Sequence, residues 1–160
     1  MSEFTGAMAQ IATGVAVVTV REARDDVGTT VNTFTSVSLD PPLVMVSIAS
    51  TGYVNEMLLR QDRWAASVLS GGQSVVASRF ATPGRPSARL LVAGTPHHRG
   101  PASAALILEG GVAAIEAETT QVVPTGDHTL YVARVLAVDY IDPSAQPLVR
   151  LRGRYRAFDG

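Results

Sequence analysis

Apolar residues along this chain come in short runs and alternations, broken by glycine, proline and charge, at spacings that predict many strands and few helices. Residues 15–20 are mostly β-branched and predict a buried strand. Residues 21–28 are charged and end in glycine, which predicts a hairpin loop. Residues 29–38 predict a second strand. Within it, Asn32-Thr33-Phe34-Thr35-Ser36-Val37-Ser38 alternates small polar side chains with apolar ones, so one face offers hydroxyls and an amide. Asp40-Pro41-Pro42 then forces a turn or an edge, because each proline fixes φ and removes a backbone donor. Residues 43–49 are an apolar run and predict a third strand covered on both faces.

Further on, residues 63–69 predict a strand carrying Trp64. Residues 106–123 predict a long apolar strand with a bend or bulge at Gly110-Gly111. Residues 129–138 alternate imperfectly and predict a twisted or bulged strand, and residues 148–158 predict a last, arginine-rich one. Three short helices interleave with these. Residues 5–11 place Phe4, Met8 and Ile11 at helical spacing. A second helix runs from a cap at Ser50 or Thr51 to about Arg60. A third starts at Ser70-Gly71-Gly72 with Val75, Val76 and Phe80 on its apolar face. Residues 82–88 read as a loop and residues 95–102 as irregular. The sum is a mainly β chain, a small closed barrel with a few short helices outside it.

Composition narrows the chemistry. A chain of 160 residues fits one domain, and 46% hydrophobic against 17% charged residues suffices for a packed core. A net charge of -1 offers no electrostatic case for nucleic acid or a membrane surface. The chain has no lysine, which excludes lysine Schiff-base chemistry and leaves phosphate groups to arginine, hydroxyls and backbone N–H groups. It has no cysteine, so disulfides, thiolate nucleophiles and cysteine metal sites are excluded. No basic stretch leads an apolar run at the start, and no run is long enough to span a bilayer, so a cytoplasmic protein is expected.

From residue types alone, the polar face of residues 32–38 is a ligand surface or an ordinary wet strand face. Ser50-Thr51-Gly52 is a phosphate site at a helix start or a plain cap. One of Arg79, Arg85 and Arg89 can meet a phosphate, or all three are solvated. Gly126-Asp127-His128 is a turn in which Asp127 can hold an imidazole tautomer. His97-His98 lacks further ligands at metal-binding spacing. Bottom-up, these residues describe a small β-barrel with room for a phosphorylated ligand.

Three segments in chain order resemble the flavin reductase-like family, the flavin-binding split β-barrels: residues 11–19, residues 33–44 and residues 126–135. Pro147-Leu148 and Arg152-Gly153-Arg154-Tyr155 match more weakly. The resemblance implies an FMN-binding split barrel, one domain across residues 1–160, that works as a homodimer. It implies a reductase passing a hydride from NADH or NADPH to FMN or FAD, the reduced flavin then serving a partner monooxygenase. By position, Asn32, Thr33, Phe34, Thr35 and Ser36 match the segment along the flavin ring and ribityl chain. Ser50 and Thr51 match the phosphate end, and Arg79, Phe80 and Ala81 the segment beside the tail. His128 matches a histidine near the nicotinamide, in an orienting role, with Tyr155 close by. The rival readings are a flavin carrier or sensor on the same barrel, an oxidase resembling the pyridoxamine phosphate type, and a structural module without flavin.

Overall fold

The computed structural model describes residues 2–158. Helix α1 (Glu3–Met8) and strand β1 (Thr13–Gly14) lead into the hairpin of β2 (Ala16–Glu22) and β3 (Asp25–Val31). A crossing segment at residues 32–34 separates β3 from the hairpin of β4 (Thr35–Leu39) and β5 (Pro42–Ala49). Helix α2 (Tyr53–Arg60), β6 (Arg63–Val68), a single 3₁₀ turn (Gly71–Gln73), α3 (Ser74–Ala81) and α4 (Ala88–Leu91) follow. The chain closes with β7 (His97–Arg99), β8 (Leu106–Leu108), the long pair β9 (Ala113–Thr125) and β10 (His128–Ile141), and the hairpin of β11 (Leu148–Leu151) and β12 (Arg154–Ala157).

Seven strands form one sheet in the order β3-β2-β6-β9-β10-β5-β4. Strands β7 and β8 pair outside it, as do β1, β11 and β12. The sheet curls so that Val18, Val46, Ile48, Met57, Trp64 and Tyr131 share one core inside the barrel. Helix α2 plugs one end with Met57 and Leu58. A second core lies on the outer face of β2, where Val17 meets Val76, Ala77 and Phe80 of α3. That is why the 15–20 run is apolar at every position but Thr19, whose buried hydroxyl donates to the Leu106 carbonyl: β2 is buried on both sides. Register shifts along β9–β10 after Val132, Val135 and Val138 give the bulged strand that the imperfect alternation predicts.

The structure departs from the sequence reading at several boundaries. The loop predicted over 21–28 shrinks to residues 23–24, and β3 starts at Asp25, because Arg21↔Asp26 and Glu22↔Asp25 pair across the hairpin. The strand predicted over 29–38 is two strands, broken at the crossing segment. There the Thr33 hydroxyl both accepts from the Ser47 N–H and donates to the Ser47 carbonyl, each at 3.1 Å, standing in for a ladder partner across the split. Strand β5 is buried on one face only, through Val44, Val46 and Ile48.

At α2 the N-cap is Gly52, without a side-chain cap, rather than Ser50 or Thr51. Ser70 caps the 3₁₀ turn through a capping box with Gln73, and Val75 stands exposed on α3 while Ala77 joins Val76 and Phe80 underneath. Residues 95–102 include β7, and Ala88, placed in the preceding loop, opens α4 behind its cap Ser87. Gly110-Gly111 ends a strand rather than bending one. Gly110 has a φ of 80°, and a Cβ on Gly111 would stand 2.3 Å from the Val68 carbonyl oxygen. The last predicted strand is a hairpin turning at Arg152-Gly153, both with positive φ.

Candidate functional site

A groove runs along the barrel split, with β3 as its floor. Its widest part, about 620 Å³, opens between Gly52 and Tyr53 at the start of α2 and the Pro83–Pro86 loop. It continues through about 240 Å³ beside Thr33, Ser47, Ala49 and His128, and through about 320 Å³ beside Thr30, Asn32, Ala81, Arg150 and Tyr155. Arg85 lines the first two parts and Asn32 the last two, so the lining is continuous.

The walls are fixed by local bonds. The Thr30 hydroxyl donates to the Ala77 carbonyl at 2.6 Å and ties α3 to β3. Gly28 is required there: a Cβ would stand 2.8 Å from the Phe80 ring, which is fully buried under the groove floor. On the opposite wall, the Asn55 amide donates to the Ser50 carbonyl at 3.1 Å and its oxygen accepts from the buried Tyr131 hydroxyl at 2.6 Å. The Ser50 N–H donates to the Asp127 carbonyl at 2.9 Å, and the Ser50 and Thr129 hydroxyls lie 3.0 Å apart. These bonds lock the start of α2 to the turn that presents His128.

The groove is electropositive. Among the described residues no carboxylate lines its two inner parts, and the one in the widest part, Asp25, accepts from the Ser87 hydroxyl and the Asp26 N–H. Arg85 is held with its Nε donating to the Gly28 carbonyl at 2.7 Å and Nη1 to the Thr82 carbonyl at 3.3 Å. Burial pulls its pKa down, so an anion that restores its solvation is favoured there. The start of α2 adds unpaired backbone N–H groups on the facing wall.

His128 contacts Asp127 through Nδ1 at 2.8 Å. Hydrogen bonding to His128 holds the Asp127 carboxyl below its usual range, so it is ionised at neutral pH and can only accept. Nδ1 therefore carries the proton, and Nε2 makes no other hydrogen bond among the described residues. At the far end the Arg150 guanidinium sits 5.3 Å from the centre of the Tyr155 ring.

Of the residues singled out in the sequence, the groove gathers Asn32, Thr33, Thr51, Ala81, His128 and Tyr155. Phe34 turns inward, edge-on to Trp64 with ring centres 6.4 Å apart. Thr35 and Ser36 lie exposed on β4, the edge strand, outside the three cavities. Ser50 is engaged behind the wall, Phe80 lies under the floor, and Arg79 faces a separate hollow with Ser70 and Gln73. Among the three loop and helix arginines, Arg85 reaches the groove, while Arg89 is bound to Asp26 at 2.7 Å. Asn55 had no signal in the sequence beyond its place in the first turn of a helix. No group of metal-ligating side chains occurs among the described residues, His97 and His98 included.

The sequence profile of the flavin reductase like domain matches residues 8–159. An NADH-dependent FMN reductase of Streptomyces nodosus subsp. asukaensis is 38% identical over 160 residues, across 96% of this chain and 83% of that one. The NADH:FAD oxidoreductase of Streptomyces globisporus, solved with NAD and FAD fragments, superposes with a TM-score of 0.89 at 30% identity, covering 97% and 90% of the two chains. The styrene monooxygenase flavin reductase of Pseudomonas putida S12 superposes with a TM-score of 0.85 at 34% identity, over 99% of each chain.

Proposed function

This chain belongs to the flavin reductase like domain family, and we propose from that membership that it is an NAD(P)H:flavin oxidoreductase. It transfers a hydride from NADH or NADPH to FMN or FAD, and the reduced flavin serves a partner monooxygenase. The relatives that support this reading are named NADH-dependent reductases of FMN and FAD, and one is the reductase of a styrene monooxygenase. The observation that carries it on this chain is the groove, continuous and free of carboxylates among the described residues of its inner length, with Arg85 and a helix start at one end and Tyr155 and Arg150 at the other.

The residues present fit a flavin. Arg85, Thr51 and the first N–H groups of α2 hold the phosphate end. The backbone at Asn32 and Thr33 and the Asn32 amide meet the polar edge of the ring. The Thr33 hydroxyl is already engaged with Ser47, so this residue contributes main chain rather than side chain. Bound there, the flavin and nicotinamide supply the redox reactivity themselves. The protein orients and shields. The Asp127–His128 pair fixes the imidazole so that Nε2 faces ligand as a hydrogen-bonding group, and Tyr155 closes the other end of the groove.

The barrel works as a homodimer in the cytoplasm. Exposed Phe4, Met8, Leu39 and Ile141 and the half-covered outer face of β5 are surfaces that a second copy would bury. No helix among the described residues is long and apolar enough to cross a membrane.

The site is tested by titrating wild type and Arg85→Ala with FMN and with riboflavin. Loss of one charge-assisted phosphate contact weakens FMN roughly 10- to 100-fold and leaves riboflavin unchanged. Equal effects on both ligands would remove Arg85 from the phosphate end.

A further inference from the structure

Asn55 is a polar side chain buried in α2 beside the apolar Val54, Met57 and Leu58. The Ser50 carbonyl can only accept, so Asn55 Nδ2 faces it at 3.1 Å and Oδ1 turns to Tyr131, 2.6 Å away. The phenol must then be the donor. Burial raises the Tyr131 pKa, so the phenol keeps its proton across the neutral range. One hydroxyl inside the barrel thus decides which way the amide points. Ser50 is held in turn at three atoms. Its carbonyl takes Asn55, its N–H donates to the Asp127 carbonyl at 2.9 Å, and its hydroxyl lies 3.0 Å from that of Thr129. Asp127 and Thr129 are the chain neighbours of His128 on either side. The His128 side chain is 46% exposed, so its backbone and the Asp127 contact place it, rather than packing.

Resting on the reductase reading above, we propose that Asn55, oriented by Tyr131, is a positioning residue for hydride transfer: it fixes Ser50 and, through Ser50, the backbone on both sides of His128. A buried amide that only filled space could be an aliphatic side chain at no loss of packing. A polar network whose members are all partnered instead selects one arrangement of the elements it joins. Here it joins the barrel core at Tyr131, the start of α2 and the turn carrying the imidazole. Neither Asn55 nor Tyr131 lines the groove, so each acts through His128 and not on a ligand.

Two variants test this. Asn55→Leu removes both bonds at similar volume, and Tyr131→Phe removes the hydroxyl alone and keeps the buried ring; if Asn55→Leu does not fold, Tyr131→Phe decides. The first readout needs no flavin. Exchange of the Ser50 amide, followed by NMR, is expected to speed up about tenfold more than exchange of the β2 amides, which report only global stability. The second is the rate of flavin bleaching by NADH under anaerobic conditions, with FMN and NADH both saturating. It is expected to fall about tenfold in each variant, as a small misplacement of an orienting group does. In a His128→Ala background the same substitutions should cost nothing further, because the group they position is gone. Unchanged Ser50 exchange overturns the proposal. So does a lowered melting temperature with wild-type bleaching, which is a purely structural role, or a loss that multiplies with that of His128→Ala, which is an action through some other group. Absence of flavin binding and of flavin-dependent NADH oxidation in wild type contradicts the reductase reading instead, and Ser50 exchange still reports whether Asn55 holds the turn.

Discussion

Asp26 is fully buried in β3, and its carboxylate takes Arg89 at 2.7 Å and Arg99 at 2.8 and 3.1 Å. Burial alone would raise its pKa, but the two guanidinium groups outweigh that and hold it below the usual carboxylate range. The pair joins α4 and β7 to the back of the strand that floors the groove. Removing one partner leaves a buried charge half-matched, so Arg99→Met is expected to cost about 3 kcal/mol by denaturant unfolding. A cost near zero would show that Arg89 alone suffices. Gly28→Ala is expected to cost about 1–3 kcal/mol through its clash with Phe80, and to weaken flavin binding by tilting the floor. At this scale the sequence was legible where a residue type had one use: Gly126-Asp127-His128 forms the turn and the held imidazole it suggests. It was not legible for Arg85 against Arg79, because four residues of loop decide which guanidinium folds back over Gly28. Phe80 was legible as part of the apolar face of α3, but not as the ring packed against Gly28 under the floor.

At the scale of elements, strand existence was readable from periodicity, and the errors fell on boundaries. The alternation of 29–38 continues through a break because Thr33 satisfies the gap with its side chain, and a hydroxyl there looks the same as one on a wet strand face. The apolar run of 106–123 hides two strands in different sheets, separated only by Gly110-Gly111. The β7–β8 hairpin that results is clamped to β10 by His98, whose Nδ1 meets Glu109 at 2.9 Å and Nε2 meets Asp139 at 2.8 Å. Burial lowers the His98 pKa, but the two carboxylates outweigh it and raise it above 6.5. The clamp therefore adds stability that is complete below about pH 6.5 and is lost as pH rises through the raised, folded-state value. Thermal melts of wild type and His98→Gln should differ at about pH 6 and converge as the pH rises through the raised, folded-state value. A gap that widens with pH would contradict the doubly paired imidazolium.

At the scale of the whole molecule, one positive channel crosses a chain of slight negative charge. The barrel builds it by leaving its sheet split between β3 and β4, so that two strand edges and two helix ends converge on a ligand-sized groove. The fold class and the groove's inner segment were legible in the motif order, whereas the groove's width depends on how α2 and the Pro83–Pro86 loop face each other across the split. The central claim is that this groove brings a reduced nicotinamide and a flavin together. It is tested most directly by mixing NADH anaerobically with the protein and stoichiometric FMN or FAD, and following the bleaching of the flavin band. The account predicts bleaching far faster than in protein-free controls, and slowed in His128→Ala without loss of flavin binding. Flavin that binds but bleaches no faster than the control would contradict it and leave a binding protein in its place.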